Sequence, residues 1–406
     1  MNILVIGTFD SKREEYQFLV SEIQRLGASV TAMDIGTFSD GLGVEVDCVL
    51  AKKVLSAAGV SISEVRAARD RGEAMKQMAE GAALKSRELI DSGRVAGVIG
   101  MGGSGGSSVI SAAMQRLPIG LPKVLLSTMA GGDTRAFVGS RDITLIPSIT
   151  DISGLNRISR VMISSAAAAV VGMAEEYGKR EQGAKAEKVF AASMFGNTTD
   201  CVNRCRDLLQ RDRQEVLVFH ATGTGGRTME ALIEDGFVDG CLDITTTEIA
   251  DHVCEGILSA GPGRLAAAGQ KGIPHLVVPG CVDMANFGPL DSVPERYRDS
   301  GRLLYEWNPA VTLMRTNVEE NRRIGEIFVE KLNGARGPVH VLLPLRGVSI
   351  LDADGERFCD READESLFGV LREKLDPSIP LTELDLNIND PEFADAAVRL
   401  FEGMLA

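Results

Sequence analysis

The chain has 406 residues, 44% of them hydrophobic and 25% charged, the ordinary balance of a globular protein with room for two domains. A formal net charge of −14 argues against a general role on nucleic acid or anionic membrane, because both surfaces would repel it. Seven cysteines, an odd number without zinc-ribbon spacing, point to reduced thiols and a cytoplasmic location, and no uninterrupted apolar run reaches the roughly 18 residues of a membrane span.

In chain order, Ile3 to Ile6 is a short apolar strand that turns at once into Thr8, Asp10, Ser11 and Lys12, so it reads as the start of a sheet rather than a signal peptide. Glu14 to Leu26 has apolar residues at helical spacing and stops at Gly27; Ala28 to Ile35 is a second strand with Asp34 near its end. Such a unit places polar residues at strand carboxyl ends, where open α/β sheets hold their ligands. Ser61-Ile-Ser-Glu64 is a capping-box pattern, and the helical region it opens runs to Asp91, interrupted by Gly72 and Gly81. The charges of that region read as a solvated helix face.

The chain is organised around the next stretch, Gly100-Met-Gly-Gly-Ser-Gly-Gly-Ser-Ser108, which follows an apolar strand and precedes a helix. Gly100, Gly102 and Gly105 have the dinucleotide-loop spacing, but no Asp or Glu occurs between Gly100 and Gly132, where that fold wants an acid. NAD(P)-dependent oxidoreduction is therefore the minor alternative. Read as a triphosphate loop, Gly100 and Gly105 are correctly spaced and Ser107 takes the Ser/Thr place, but Gly106 replaces the lysine. The loop is expected to bind phosphate through backbone amides alone; the plain alternative is a tight strand–helix turn with no ligand.

Pro122 to Leu126 and Ile143 to Ile149 are further strands, and an Ala-rich helix runs from Leu155 to Glu176. Lys179 to Lys185 is the best linker candidate. Alternation then restarts with strands at Glu187 to Met194, Val216 to His220, Val238 to Ile244, His275 to Val278, Val311 to Met314 and Val339 to Leu343. The expected fold class is α/β, two Rossmann-like parallel-sheet domains, with a nucleotide-binding domain over residues 1–180 and a second domain over residues 187–406. Ser104-Gly-Gly-Ser-Ser108 is echoed by Thr224-Gly-Gly-Arg-Thr228, which suggests an internal duplication.

Five stretches together carry a family likeness: Gly7-Thr-Phe-Asp-Ser-Lys12, Met101-Gly-Gly-Ser-Gly-Gly-Ser107, Ser127-Thr-Met-Ala-Gly-Gly-Asp133, Phe219-His-Ala-Thr-Gly-Thr-Gly-Gly-Arg-Thr228 and Val278-Pro-Gly-Cys-Val-Asp-Met-Ala-Asn-Phe287. With them the chain resembles the Tm-1-like ATP-binding family, which includes the amino-terminal portion of the tomato mosaic virus resistance protein. The resemblance implies two domains, ATP in the first, and a homodimer. In the plant protein a TIM-barrel portion follows this region, so a separate TIM-barrel partner protein is an expectation here. Position by position, the nucleotide set is Gly102, Gly103, Ser104, Gly105, Gly106 and Ser107, with Thr8, Asp10 and Lys12 after the first strand and Ser127 and Thr128 after a later one. Lys12 could supply the charge that Gly106 lacks, Asp10 could hold Mg²⁺ or simply cap a helix, and Asp34 suits a ribose hydroxyl pair.

The second half carries the other chemical candidates. His220 ends a strand beside the second Gly-rich loop, Glu248 lies one helical turn before His252, and Asp283 follows Cys281. His220, Glu248 and Asp283 are the acid–base candidates. Thr224, Gly225, Gly226, Arg227 and Thr228 form the candidate substrate loop, with the Arg227 guanidinium suited to a small anionic metabolite. Two readings stay open: an ATP-dependent enzyme acting on such a metabolite in a cleft between the domains, or a non-catalytic ATP-regulated binding module.

Overall fold

The computed structural model describes residues 1–37, 43–179, 188–210 and 214–405. The chain divides into two compact units, Met1–Ala184 and Lys185–Ala406. The linker expected at Lys179 to Lys185 lies outside the described residues apart from Lys179, which ends a helix.

The first unit is built on one parallel sheet. Its strands are β1 (Asn2–Gly7), β2 (Ser29–Asp34), β3 (Asp47–Val49), β4 (Gly97–Gly102), β5 (Lys123–Ser127) and β6 (Thr144–Pro147). They lie in the order β3-β2-β1-β4-β5-β6, every pairing parallel. A parallel sheet must be covered on both faces, and β1 shows why this one is. Ile3 and Val5 enter one core with the helices Arg13–Arg25 and Arg157–Lys179; Leu4 and Ile6 enter the other, with Ala51–Ala57, Arg71–Asp91 and Ser104–Gln115. By length and composition the helix Arg157–Lys179 is apolar enough to cross a membrane. Its residues Ile163, Ala166, Ala167, Val170, Val171 and Ala174 are instead packed in the first core.

Ser61 and Glu64 form the expected capping box: the Ser61 amide donates to Glu64 Oε2 at 2.9 Å and the Glu64 amide to Ser61 Oγ at 3.2 Å. The short helix it opens, Ile62–Ala68, ends at Arg69 in the left-handed region (φ 52°), and Asp70 caps the next helix by accepting the Glu73 amide at 3.0 Å. Gly72 and Gly81 do not interrupt that second helix, which is continuous from Arg71 to Asp91. A side chain at Gly81 would collide with the Val54 carbonyl, so glycine there lets two helices approach.

The second unit has a parallel sheet of β7 (Val189–Met194), β8 (Glu215–His220), β9 (Gly240–Thr245), β10 (His275–Gly280), β14 (Val339–Pro344) and β15 (Leu381–Leu384), in the order β15-β14-β10-β9-β7-β8. Leu276 and Val278 of β10 face a core with the helices Thr199–Leu209 and Pro391–Gly403, while Val277 faces the helices Thr247–Cys254, Val318–Asn333 and Arg361–Lys374. The strand expected at Val311 to Met314 is not in this sheet. It is β13 (Val311–Arg315), the middle of a separate antiparallel sheet between β11 (Met284–Phe287) and β12 (Leu304–Asn308). Only Pro309 and Ala310 join β12 to β13, and so short a connection forces antiparallel pairing.

The two parallel sheets differ in strand order. The first Gly-rich loop follows β4, in mid-sheet beside β1, whereas the second follows β8 at a sheet edge. The echo between the two loops is therefore one of sequence, not of place in the sheet.

Candidate functional site

In the first unit β4 ends at Gly102, Gly103 is the extended N-cap (φ −78°, ψ −166°), and the helix Ser104–Gln115 begins at once. The Ser107 amide bonds back to the Gly103 carbonyl at 2.9 Å. The amides of Ser104, Gly105 and Gly106 precede that bond and have no acceptor within the helix, so the helix start presents N–H groups and partial positive charge beyond the sheet's carboxyl edge. Strand order reverses between β1 and β4 next to this loop, which makes it the topological switch point of the sheet.

The loop's glycines serve two purposes. A Cβ on Gly102 would stand 3.2 Å from Gly106 Cα and from the Ser107 nitrogen, so the tight strand-to-helix turn needs a glycine there. At Gly103, Gly105 and Gly106 the nearest atoms to such a Cβ are 3.8, 3.5 and 3.9 Å away, and none of the three has positive φ. Gly105 and Gly106 lie in the first turn of the helix, where residues with side chains are equally well accommodated. Neither packing nor backbone conformation asks for them.

In front of the loop is a cavity of about 920 Å³, the size of a small-molecule site. Gly103 to Gly106 form one wall, Thr8, Asp10, Ser11 and Lys12 a second, and Val65, Arg66, Arg69, Arg71, Met75 and Met78 a third. Arg71 Nη2 lies 3.5 Å, and Met75 Cε 3.6 Å, from the position a Gly105 Cβ would take. The structure thus gathers Thr8, Asp10, Lys12, Gly103, Ser104, Gly105 and Gly106 around one space. It adds three arginines and two methionines whose exposed charges had suggested only a solvated helix face.

Other candidates are placed behind this wall. Ser107 and Ser127 are buried and bonded to each other, Oγ to Oγ at 2.6 Å; Ser107 also donates to the Gly102 carbonyl and Ser127 accepts the Met129 amide at 3.0 Å. They tie the helix start to the ends of β4 and β5 beneath the loop and do not line the cavity. Asp34 is 1% exposed, and its Oδ1 accepts the amides of Phe9 at 3.3 Å and Gly36 at 2.9 Å. It fixes the turns after β1 and β2 and is spent on that task rather than open to a ribose. Gly102 is likewise buried in the strand, and Thr128 is exposed beside Gly103. Lys12 lines the cavity, yet its ammonium donates to the Ile152 carbonyl. Asp10 lies against Gly36, where a Cβ would collide with its carboxylate. Asp10 belongs to no set of three metal-capable groups; among the described residues that condition is met by Cys241, Asp243 and His275, all buried.

The second Gly-rich loop is arranged differently. β8 ends at His220, Gly223 turns with φ 79°, and the helix Thr224–Glu234 follows. The anion position at this helix start is filled by the protein itself: Glu248 Oε1 accepts the amides of Gly223 at 2.6 Å and Gly226 at 3.0 Å. A side chain on Gly226 would strike the Glu248 carboxylate, and one on Gly225 the His220 carbonyl, so packing accounts for both glycines. Glu248 is completely buried and paired through Oε2 with Arg264 Nε at 2.7 Å. Arg264, also buried, pairs in turn with Asp243 and with Glu230 at 3.1 Å. Burial alone would raise the Asp243 carboxyl, but Arg264 and His275 outweigh it and hold it well below the usual carboxylate range.

This speaks against the substrate-loop expectation for Thr224 to Thr228 and the acid–base expectation for Glu248, because the Glu248 carboxylate itself occupies the loop's amides. Arg227 donates to the Ser259 carbonyl at 2.9 Å and to Thr224 Oγ1 at 3.3 Å, and Thr228 donates to the Thr224 carbonyl. His220 is exposed, its ring 5.4 Å from that of Phe195. Asp283 is fully buried and accepts from Ser349 Oγ at 2.8 Å; burial raises its carboxyl, against the pull of Arg315. Among the described residues no hydrogen bond joins His220, Glu248 and Asp283. Cys281 is buried, and burial pushes its thiol up, away from the thiolate a nucleophile needs.

Comparison with known proteins gives the chain its relatives. Residues 1–179 match the amino-terminal domain, and residues 187–405 the carboxyl-terminal domain, of the uncharacterised protein family UPF0261. A UPF0261 protein of Clostridium tetani is 44% identical over 405 residues, spanning 99% of this chain and 98% of the relative. The ToMV resistance protein Tm-1(GCR237) of Solanum lycopersicum is 39% identical over 417 residues, spanning 98% of this chain and 55% of that protein. Among solved structures, a UDP-N-acetylglucosamine 2-epimerase from Rickettsia bellii aligns over 68% of this chain and 78% of its own, at 11% identity and a TM-score of 0.24, a likeness that carries no argument about chemistry. The chain belongs to the UPF0261 family, and the tomato Tm-1 proteins are its homologues.

Proposed function

We propose that the first unit binds ATP, with the phosphates on the amides of Gly103 to Gly106 and the rest of the nucleotide in the cavity before them. The observation that carries this reading is the pair of helical glycines, Gly105 and Gly106, which the fold does not require and which leave the helix start open to a ligand. Unpaired amides, the helix dipole and the arginines of the opposite wall all favour a polyanion, while Val65, Met75 and Met78 offer apolar surface to a base. The second unit supports no parallel reading, since Glu248 already fills its loop. A nucleotide-binding module is thus favoured over an enzyme that would work through His220, Glu248 and Asp283.

Calorimetric titration of ATP into the native chain and Gly105→Val tests the reading. Valine fills the gap between the loop and Arg71, so affinity is expected to fall tenfold or more, about 1.4 kcal/mol, with the melting temperature little changed. Equal affinity in both proteins removes the loop from the site.

A further inference from the structure

We propose that Arg71 is the cation that grips the ligand's phosphates, taking over from the helix Arg71–Asp91 the task of the lysine that the Gly-rich loop lacks. The proposal rests on the nucleotide reading above and specifies its ligand class, a nucleoside polyphosphate held by guanidinium and amides together.

Gly106 stands where a triphosphate loop has its lysine, so the loop has no cation of its own. Lys12 reaches the cavity, but its ammonium donates to the Ile152 carbonyl, which draws the charge toward the Thr150–Gly154 segment. Arg71 is differently placed. Its Nη2 lies 3.5 Å from the point where a Gly105 Cβ would stand, beside the first turn of the helix and on the wall of the same cavity. Among the described residues it makes no ion pair and no side-chain hydrogen bond, and Asp70 beside it is occupied in capping the Glu73 amide. A planar guanidinium donates two parallel bonds to a phosphate, which a lysine ammonium cannot. A branched side chain at Gly105 would take up the space between that guanidinium and the helix start. Met75, 3.6 Å from that same point, closes the side of the gap with apolar surface.

The test is calorimetric titration of the full chain with ATP, comparing native protein, Arg71→Ala, Arg71→Gln, Arg71→Lys and a control, Arg25→Ala. The control loses an equal charge from an exposed pair with Glu22 away from the cavity wall. Arg71 is exposed in the first turn of its helix, and the glutamine variant keeps much of its stem, so thermal melts should be unchanged. Arg71→Ala and Arg71→Gln are expected to weaken ATP roughly 10–100-fold, Arg71→Lys to recover part of the loss, and Arg25→Ala to match the native protein. If ATP binds the native chain and binds Arg71→Gln equally well, Arg71 is not the grip and only the loop reading survives. If ATP fails to bind the native chain, both readings fall.

Discussion

Glu248 and Arg264 form an ion pair wholly shielded from solvent, Oε2 to Nε at 2.7 Å, in the position where the second Gly-rich loop would otherwise receive an anion. The pair explains how two loops of similar sequence differ in consequence. One helix start is satisfied from within; the other opens on a cavity.

Removing the internal anion should therefore be costly. In Glu248→Ala the amides of Gly223 and Gly226 lose their acceptor and Arg264 loses one of three carboxylate partners, all in a dry interior. Breaking a buried pair from one side costs about 3–5 kcal/mol, which a urea denaturation curve would register as a shifted midpoint. Acetate added to the variant should refill the position and recover part of the loss, without effect on the native protein. An unchanged midpoint would mean that the pair adds nothing to stability.

Tyr16 is a second buried polar tie. Its ring covers Gly7 so closely that a side chain there would collide with it, and its hydroxyl accepts the Met101 amide at 3.1 Å while bonding the carbonyls of Ile6 and Met101. The hydroxyl thus bridges β1 and β4 under the switch point. Tyr16→Phe removes the hydroxyl's bonds to Met101 and Ile6 from the core and should destabilise the first unit by about 0.5–1.5 kcal/mol. A loss under the measurement error of a chemical melt would contradict this placement.

Asp251 makes a prediction about pH. Burial raises its carboxyl from the ordinary 3.8 to about 7, outweighing the hydrogen bonds from Asn286 and Leu258. Between those two values the folded chain holds a proton that the unfolded chain has lost, so stability falls as pH rises through this window, by at most about 1.4 kcal/mol per unit from this group. Asp283 and Asp352, both raised by burial, act with the same sign. Asp251→Asn should flatten the decline between about pH 4 and pH 7, with the Asn286 amide turning to meet it; Asn286 Oδ1 is buried without a partner. A pH profile identical to that of the native chain would show that Asp251 does not titrate in this range.

Much of the fold was legible because its signals are local. Apolar runs such as Ile3 to Ile6, helical spacing before Gly27 and the capping box at Ser61 depend on neighbouring residues alone. What failed depends on distance. Arg71 looked like one more exposed charge because nothing in the sequence says that its helix passes over Gly105. Ser107 and Ser127 look like ligands because a buried hydroxyl pair linking a helix start to a neighbouring strand has no sequence signature. Glu248 looks reactive in the sequence for the same reason: its acceptor role joins Gly223, Gly226 and Arg264, brought together only by folding. Gly102 and Gly226 look alike in sequence to Gly105, yet packing requires the first two and not the third.

The central claim, that nucleotide phosphates are held at the first loop and not at the second, is tested most directly by hydrogen exchange of the full chain with and without ATP, read by mass spectrometry of its peptides. The account predicts slower exchange in peptides covering Gly103 to Gly106 and Arg66 to Met78, and no change in those covering Gly223 to Thr228. Protection at the second loop, or none at the first under saturating ATP, would contradict it.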